Sequence, residues 1–315
     1  MVSISDLGEF GFIADITARL PGNEAVVLGP GDDAAVVAVP YGRVVATTDL
    51  LLEGRHFRRD WSGPADIGAK AAARNLADVA AMGAVPLALL VGFAAPPDLA
   101  LAWARELVAG LAQEGARGGA AVVGGDVSSA QTVMLAVTAL GELGGREPVT
   151  RAGARPGDLL AVAGVLGHSA AGLALLSAGL ADPGSLVAAH RRPQPPYQAG
   201  PQAALLGATA MIDISDGLVG DLRHVADASA VLIDIDTASL PTGGALAQAA
   251  SVLRQAGPLD WVLAGGEDHA LAATFPPGTS LPGDWTVIGR VLGGHGVTVD
   301  GATFQRSGGW DHFAG

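Results

Sequence analysis

Ala208-Thr-Ala-Met-Ile-Asp-Ile-Ser-Asp-Gly-Leu218 decides how the chain is read. A short apolar run ends in Asp213, Ser215, Asp216 and Gly217, and a helical pattern follows at once. The spacing predicts a strand meeting a helix, with two carboxylates and a hydroxyl at the junction. In an open α/β sheet that edge is where ligands bind. Three other apolar runs also end in acid: Gly31-Asp32-Asp33, Thr47-Thr48-Asp49 and Gly124-Gly125-Asp126. The four ends are expected to converge.

Outward from there, helices and strands alternate. Helical periodicity is predicted over residues 7–20, 64–82, 98–115, 168–180, 198–206 and 218–229, with a further helix from about Ala245. Gly83 is the expected stop of the second helix and Asp98 the expected cap of the third. On the second helix Asn75 and Asp78 share a face. Gly29-Pro-Gly-Asp-Asp-Ala-Ala35 imitates a dinucleotide fingerprint, but Val36-Val-Ala-Val39 after it reads as a strand. A fingerprint needs a helix there, so a turn between strands is predicted instead. Around residues 144–156 the composition turns to Gly, Pro and charge, the expected seam between domains 1–145 and 146–315. The pattern indicates an α/β (α+β) fold in two domains.

The 315 residues suffice for two cores, and half of them are apolar. Acids outnumber bases 31 to 18 for a net charge of −13, which argues against nucleic acid or an anionic membrane as partner. The acidic start and the short, proline-broken apolar stretch 83–97 suggest neither leader nor membrane span, so a cytoplasmic protein is expected. There is no Cys, which excludes thiolate metal sites and thiol nucleophiles. The only lysine, Lys70, follows no glycine-rich phosphate loop, which excludes a Walker-type NTPase.

A metal site here must be built from oxygen and imidazole, and carboxylates favour Mg²⁺, Mn²⁺ or Ca²⁺. Mg²⁺ usually bridges one or two carboxylates to substrate phosphates. The candidate ligands are Asp33, Asp49, Asp78, Asp126, Asp213 and Asp216, with Thr47 and Thr48 as further oxygen donors. Each Asp is equally a common turn or cap residue, and the set weighs more than any member. Gly124-Gly125 either faces a phosphate with its N–H groups or makes a tight turn. Arg151 either grips a phosphate or is a solvated surface residue. His56 contacts substrate or lies at the surface. Glu267 binds a cationic group or serves a turn. Trp310 stacks on a ring or anchors the tail.

Taken together, the motifs resemble those of a known family. Gly31-Asp-Asp-Ala-Ala, Thr47-Thr-Asp49, Gly54-x-His56-Phe57, Asn75-Leu-Ala-Asp78, Gly124-Gly-Asp126, Thr150-Arg151, Ile212-Asp-Ile-Ser-Asp-Gly-Leu218, Gly265-Gly-Glu-Asp268 and Trp310-Asp-His-Phe313 run in order along nearly the whole chain. The sequence resembles the thiamine-monophosphate kinase family, in the superfamily of aminoimidazole ribonucleotide and selenophosphate synthetases. The resemblance implies ATP-dependent phosphorylation of thiamine monophosphate to thiamine diphosphate, with several Mg²⁺ ions. It implies metal ligation by Asp33, Thr47, Thr48, Asp49, Asp78, Asp126, Asp213 and Asp216. ATP contacts would fall to Gly125, Asp126, Arg151 and Ser215, and thiamine monophosphate contacts to His56, Glu267 and Trp310. It also implies an N-terminal mixed sheet that pairs across a homodimer into a barrel, with ATP bound there, and a C-terminal α/β sandwich domain. An aromatic residue near the adenine is not assignable, Trp103 being one option. The alternatives are a superfamily enzyme with another phosphoryl acceptor and a non-catalytic Mg-nucleotide-binding protein. The missing Cys disfavours selenophosphate synthetase.

Overall fold

The computed structural model describes residues 4–28, 36–180, 182, 185–254 and 257–304. Asp33 and Trp310 lie outside them. The chain divides into two compact units: Met1–Val79 with Ala84–Arg146, and Ala80–Gly83 with Glu147–Gly315.

In the first unit α1 spans Ile4–Thr17, three residues earlier than the periodicity predicts. β1 (Val26–Leu28) and β2 (Val36–Val37) pair antiparallel, so the chain enters a strand where a dinucleotide site would need a helix. The main sheet comprises β3 (Val44–Leu52), β4 (Val85–Ala95), β5 (Ala121–Ser129) and β6 (Met134–Glu142), in the order β3-β6-β4-β5. Only β4 and β5 are parallel. Helices α2 (Pro64–Ala81) and α3 (Leu101–Gly118) pack closely through two glycines. A Cβ on Gly68 would lie 1.9 Å from the Leu107 carbonyl oxygen, and one on Gly110 2.0 Å from that of Ala65. Gly83 ends α2 at φ +72°, where glycine is the least strained residue.

Three expectations change here. Asp98 does not cap α3: it is exposed in a turn closed by the Leu99 N–H on the Pro96 carbonyl, and the helix starts after Ala100 with no side-chain cap. Thr47-Thr48-Asp49 does not close its strand, because β3 pairs with β6 on to Leu52. Gly124-Gly125-Asp126 is not a strand end either. It lies within β5, paired with Leu90, Val91 and Gly92 of β4.

In the second unit a seven-stranded sheet runs β13-β12-β9-β11-β7-β10-β8. Its strands are β7 (Leu159–Ala163), β8 (Ala210–Ile214), β9 (Leu232–Ile235), β10 (Ala270–Phe275), β11 (Trp285–Leu292), β12 (Gly296–Val299) and β13 (Ala302–Thr303). Only β12 and β9 pair parallel, so the sheet is mixed. The helices are α4 (His168–Ala178), α5 (Leu186–Arg191), α6 (Ala199–Leu205), α7 (Leu218–Ser229), α8 (Gly244–Leu253) and α9 (Leu259–Ala264). Leu218, Leu222 and Val225 line the inner face of α7 and meet Ile212, Ile214 and Ile233 from the sheet in one core. Burying each such side chain contributes roughly 1.5–3 kcal/mol. That packing fixes the β8–α7 junction in space. Among the described residues no helix is long and apolar enough to cross a membrane.

Candidate active site

The junction quoted first is built as predicted. β8 ends at Ile214 and α7 begins at Leu218, with Ser215, Asp216 and Gly217 as the turn between them. Gly217 has φ +135°, and a Cβ there would lie 2.8 Å from the Ala264 carbonyl, so only glycine fits. Asp213 is buried, and its Oδ2 lies 3.1 Å from Nδ1 of buried His269. Asp221, one turn into α7, accepts the N–H groups of Ser215, Asp216 and Gly217 on a single carboxylate oxygen at 3.0, 3.1 and 3.1 Å. Burial pushes the Asp221 carboxyl up to about 7; the nearby charge of Asp213 adds to this and the backbone N–H groups oppose it.

A second loop, Gly265–His269, lies along this turn. The Glu267 N–H donates to the Ser215 carbonyl at 2.7 Å and the His269 N–H to the Ile214 carbonyl at 2.9 Å. A Cβ on Gly266 would lie 2.3 Å from the Ser215 carbonyl oxygen, so the two backbones touch. Glu267 and His269 both hold positive φ, +67° and +54°, a conformation that non-glycine residues adopt at a cost. Asp268 between them is buried and turns the other way. It accepts the N–H groups of Gly167 and Ser169 at 2.5 and 2.7 Å, anchoring the start of α4. Burial pushes its carboxyl up to about 7, against those two bonds.

In the first unit, register divides the expected ligands between two sheet faces, because side chains alternate along a strand and paired residues share a face. Thr47 and Asp49 of β3 face α2. There the Thr47 hydroxyl donates to Asp78 Oδ2 at 2.8 Å, and Arg74 Nε stands 3.3 Å from Asp49 Oδ2. Thr48 is on the opposite face, beside Thr138 at 3.0 Å. Asp126, paired with Gly92 and through it with Ala136 and Leu50, shares that face and is exposed. Gly125 has a packing reason of its own: a Cβ would lie 1.9 Å from the Val91 carbonyl oxygen. His56 follows β3 in a loop. Its Nδ1 accepts the Leu52 N–H at 3.0 Å, which leaves the ring proton on Nε2. Glu53 holds the loop through the Val133 N–H at 2.9 Å and Arg59 Nε at 2.6 Å. In the second unit, Arg151 is an exposed residue whose carbonyl accepts the Ser229 hydroxyl at 2.9 Å.

Among the described residues no three His, Cys, Asp or Glu side chains group closely enough to cage a metal alone. Mg²⁺ does not require a cage, since it takes one or two carboxylates and completes its shell with water and phosphate. Asp213 with Asp216, and Asp49 with Asp78 and Thr47, are all-oxygen sets of that kind, so the donor chemistry fits. Sequence reasoning missed Asp221, His269 as the partner of Asp213, and Arg74. An acid in the first turn of a helix is too common a feature to single Asp221 out.

Residues 31–143 match the family model for AIR synthase related protein, N-terminal domain. The thiamine-monophosphate kinase of Mycobacterium tuberculosis is 48% identical over 312 residues, covering 99% of this chain and 93% of that protein. That of Corynebacterium glutamicum is 42% identical over 322 residues, covering 99% and 95%. Among solved structures, AaThiL complexed with AMPPCP and TMP superposes with a TM-score of 0.81 at 35% identity, over 99% of both chains. The thiamine-monophosphate kinase of Stenotrophomonas maltophilia gives a TM-score of 0.83 at 33% identity, covering 93% of this chain and 96% of that one. Similarity of this extent shows that the chain belongs to the thiamine-monophosphate kinase family.

Proposed function

We propose that this protein transfers the terminal phosphoryl group of ATP to thiamine monophosphate, giving thiamine diphosphate, with several Mg²⁺ ions bound. The observation that carries the reading is 48% identity over nearly the whole chain to a thiamine-monophosphate kinase. The all-oxygen acid sets described above support it. Bound Mg²⁺ would neutralise phosphate charge that a protein of net charge −13 cannot neutralise alone.

The acceptor oxygen belongs to a phosphate that is already anionic at neutral pH, so no side chain need act as general base. What remains for the protein is alignment. Asp33, Thr47, Thr48, Asp49, Asp78, Asp126, Asp213 and Asp216 hold the cations. Gly125, Asp126, Arg151 and Ser215 contact ATP. His56, Glu267 and Trp310 contact thiamine monophosphate, Glu267 and Trp310 as charge partner and stacking face for the cationic thiazolium ring. Residues 1–145 carry ATP and Mg²⁺ binding and dimerisation, and residues 146–315 the remaining phosphate and substrate contacts.

The homodimer, with its barrel formed from two copies of the β3-β6-β4-β5 sheet, belongs to the same reading. Val44, Leu50 and Leu90, 51%, 51% and 37% exposed, support it as large apolar side chains exposed on one sheet face. The test is to incubate the protein with ATP, Mg²⁺ and thiamine monophosphate and to assay thiamine diphosphate. Tight ATP binding with no product would remove the kinase reading.

A further inference from the structure

The Ser215–Gly217 turn resembles an anion site, because backbone N–H groups leading into a helix attract phosphate. The hydrogen bonds argue otherwise. All three N–H groups of the turn already point at one oxygen of Asp221, a side chain 3% exposed. The Ser215 carbonyl takes the Glu267 N–H, and the Gly217 carbonyl takes the Asp221 N–H at 2.9 Å. All three N–H groups of the turn are therefore spent on an internal partner. Its own carboxylate stands where an incoming phosphate would bind.

We propose that Asp221 is a positioning residue: it occupies the N–H groups before α7 with a built-in acceptor oxygen, so that the turn offers ligands its Ser215 and Asp216 side chains and receives a divalent cation rather than a bare phosphate. This rests on the reading of Asp213 and Asp216 as Mg²⁺ ligands. Asp221 touches neither cation nor substrate. It sets the backbone from which Asp216 projects, as residues behind metal ligands commonly do.

The test uses Asp221→Ala and Asp221→Asn in the full chain. Mn²⁺ binding is followed by electron paramagnetic resonance with a non-hydrolysable ATP analogue present, and hydrogen exchange is read at Ser215–Gly217. Asp221→Ala is expected to weaken Mn²⁺ binding about 10-fold and to speed exchange across the turn. Asp221→Asn is expected to lose less, because its amide oxygen still accepts N–H groups without the charge. The KM for thiamine monophosphate should stay within about twofold. Unchanged Mn²⁺ affinity in folded Asp221→Asn and Asp221→Ala would overturn the proposal. So would losses that merely follow the melting temperature, or a wild-type protein that binds no Mn²⁺. If Asp221→Ala does not fold, Asp221→Asn decides alone. A wild-type protein that binds Mn²⁺ but makes no thiamine diphosphate would instead sink the kinase reading and leave the role of Asp221 standing.

Discussion

The two units carry their acids in opposite ways. At the β8–α7 junction, Asp213 is buried against His269 and the turn beside it is held by Asp221 and by the Glu267 backbone. On β3 and β5, the acids stand on strand faces, Asp126 exposed and Asp49 beside a single guanidinium. The first arrangement fixes its acids through buried polar contacts, and the second through strand register. A change at the junction should therefore lower stability along with activity, whereas a change on the strands should cost little stability.

The largest effect should come from the acids proposed as Mg²⁺ ligands. Asp213→Asn and Asp126→Asn should each reduce turnover by about 100-fold or more, matching several kcal/mol of lost charge stabilisation, with the fold retained. Steady-state rates at saturating Mg²⁺ beside circular dichroism spectra check this, and near-normal rates would count against both assignments.

Next comes the pH response of Asp268. Its folded value of about 7 exceeds the usual 3.8, so between these values the folded state holds a proton that the unfolded state has released. Its contribution is complete below about pH 4 and is lost as pH rises through 7, by at most about 4 kcal/mol. Denaturant melts of wild type and Asp268→Asn across pH 4 to 8 isolate it, since the difference between the two curves should shrink toward alkaline pH. A pH-independent difference would refute the buried-acid account.

A smaller effect is expected at Glu267, where Glu267→Gln should raise the KM for thiamine monophosphate about tenfold, near 1.4 kcal/mol, with little change in kcat. An unchanged KM would undo its role as charge partner. Smallest is Thr47→Val on the strand side, which removes one hydroxyl bond to Asp78 and should cost about 1 kcal/mol in a thermal melt. A loss of several kcal/mol there would erase the contrast between the two regions.

The β8–α7 junction and the Gly83 stop were legible because each rests on local chemistry: a change of period, and a backbone angle only glycine takes easily. The extents of β3 and β5 were not. Asp49 and Asp126 read as strand ends by composition, yet their pairing with Val137 and Gly92 carries both strands past them, and pairing is a tertiary fact. The same holds for the division of Thr47 and Thr48 between two faces. The motif places them side by side, whereas the pleat sends them apart. Asp221 was invisible for a third reason, since its role depends on where three N–H groups point, which no spacing records.

Gly125 has a consequence for how this protein can vary. With the Val91 carbonyl where its side chain would begin, the position admits hydrogen and nothing larger unless β5 shifts away from β4. Any such shift would drag the neighbouring carboxylate with it. Sequence drift at this residue is thus policed by a steric veto next door, and the aim of Asp126 is guarded by a backbone oxygen of the neighbouring strand.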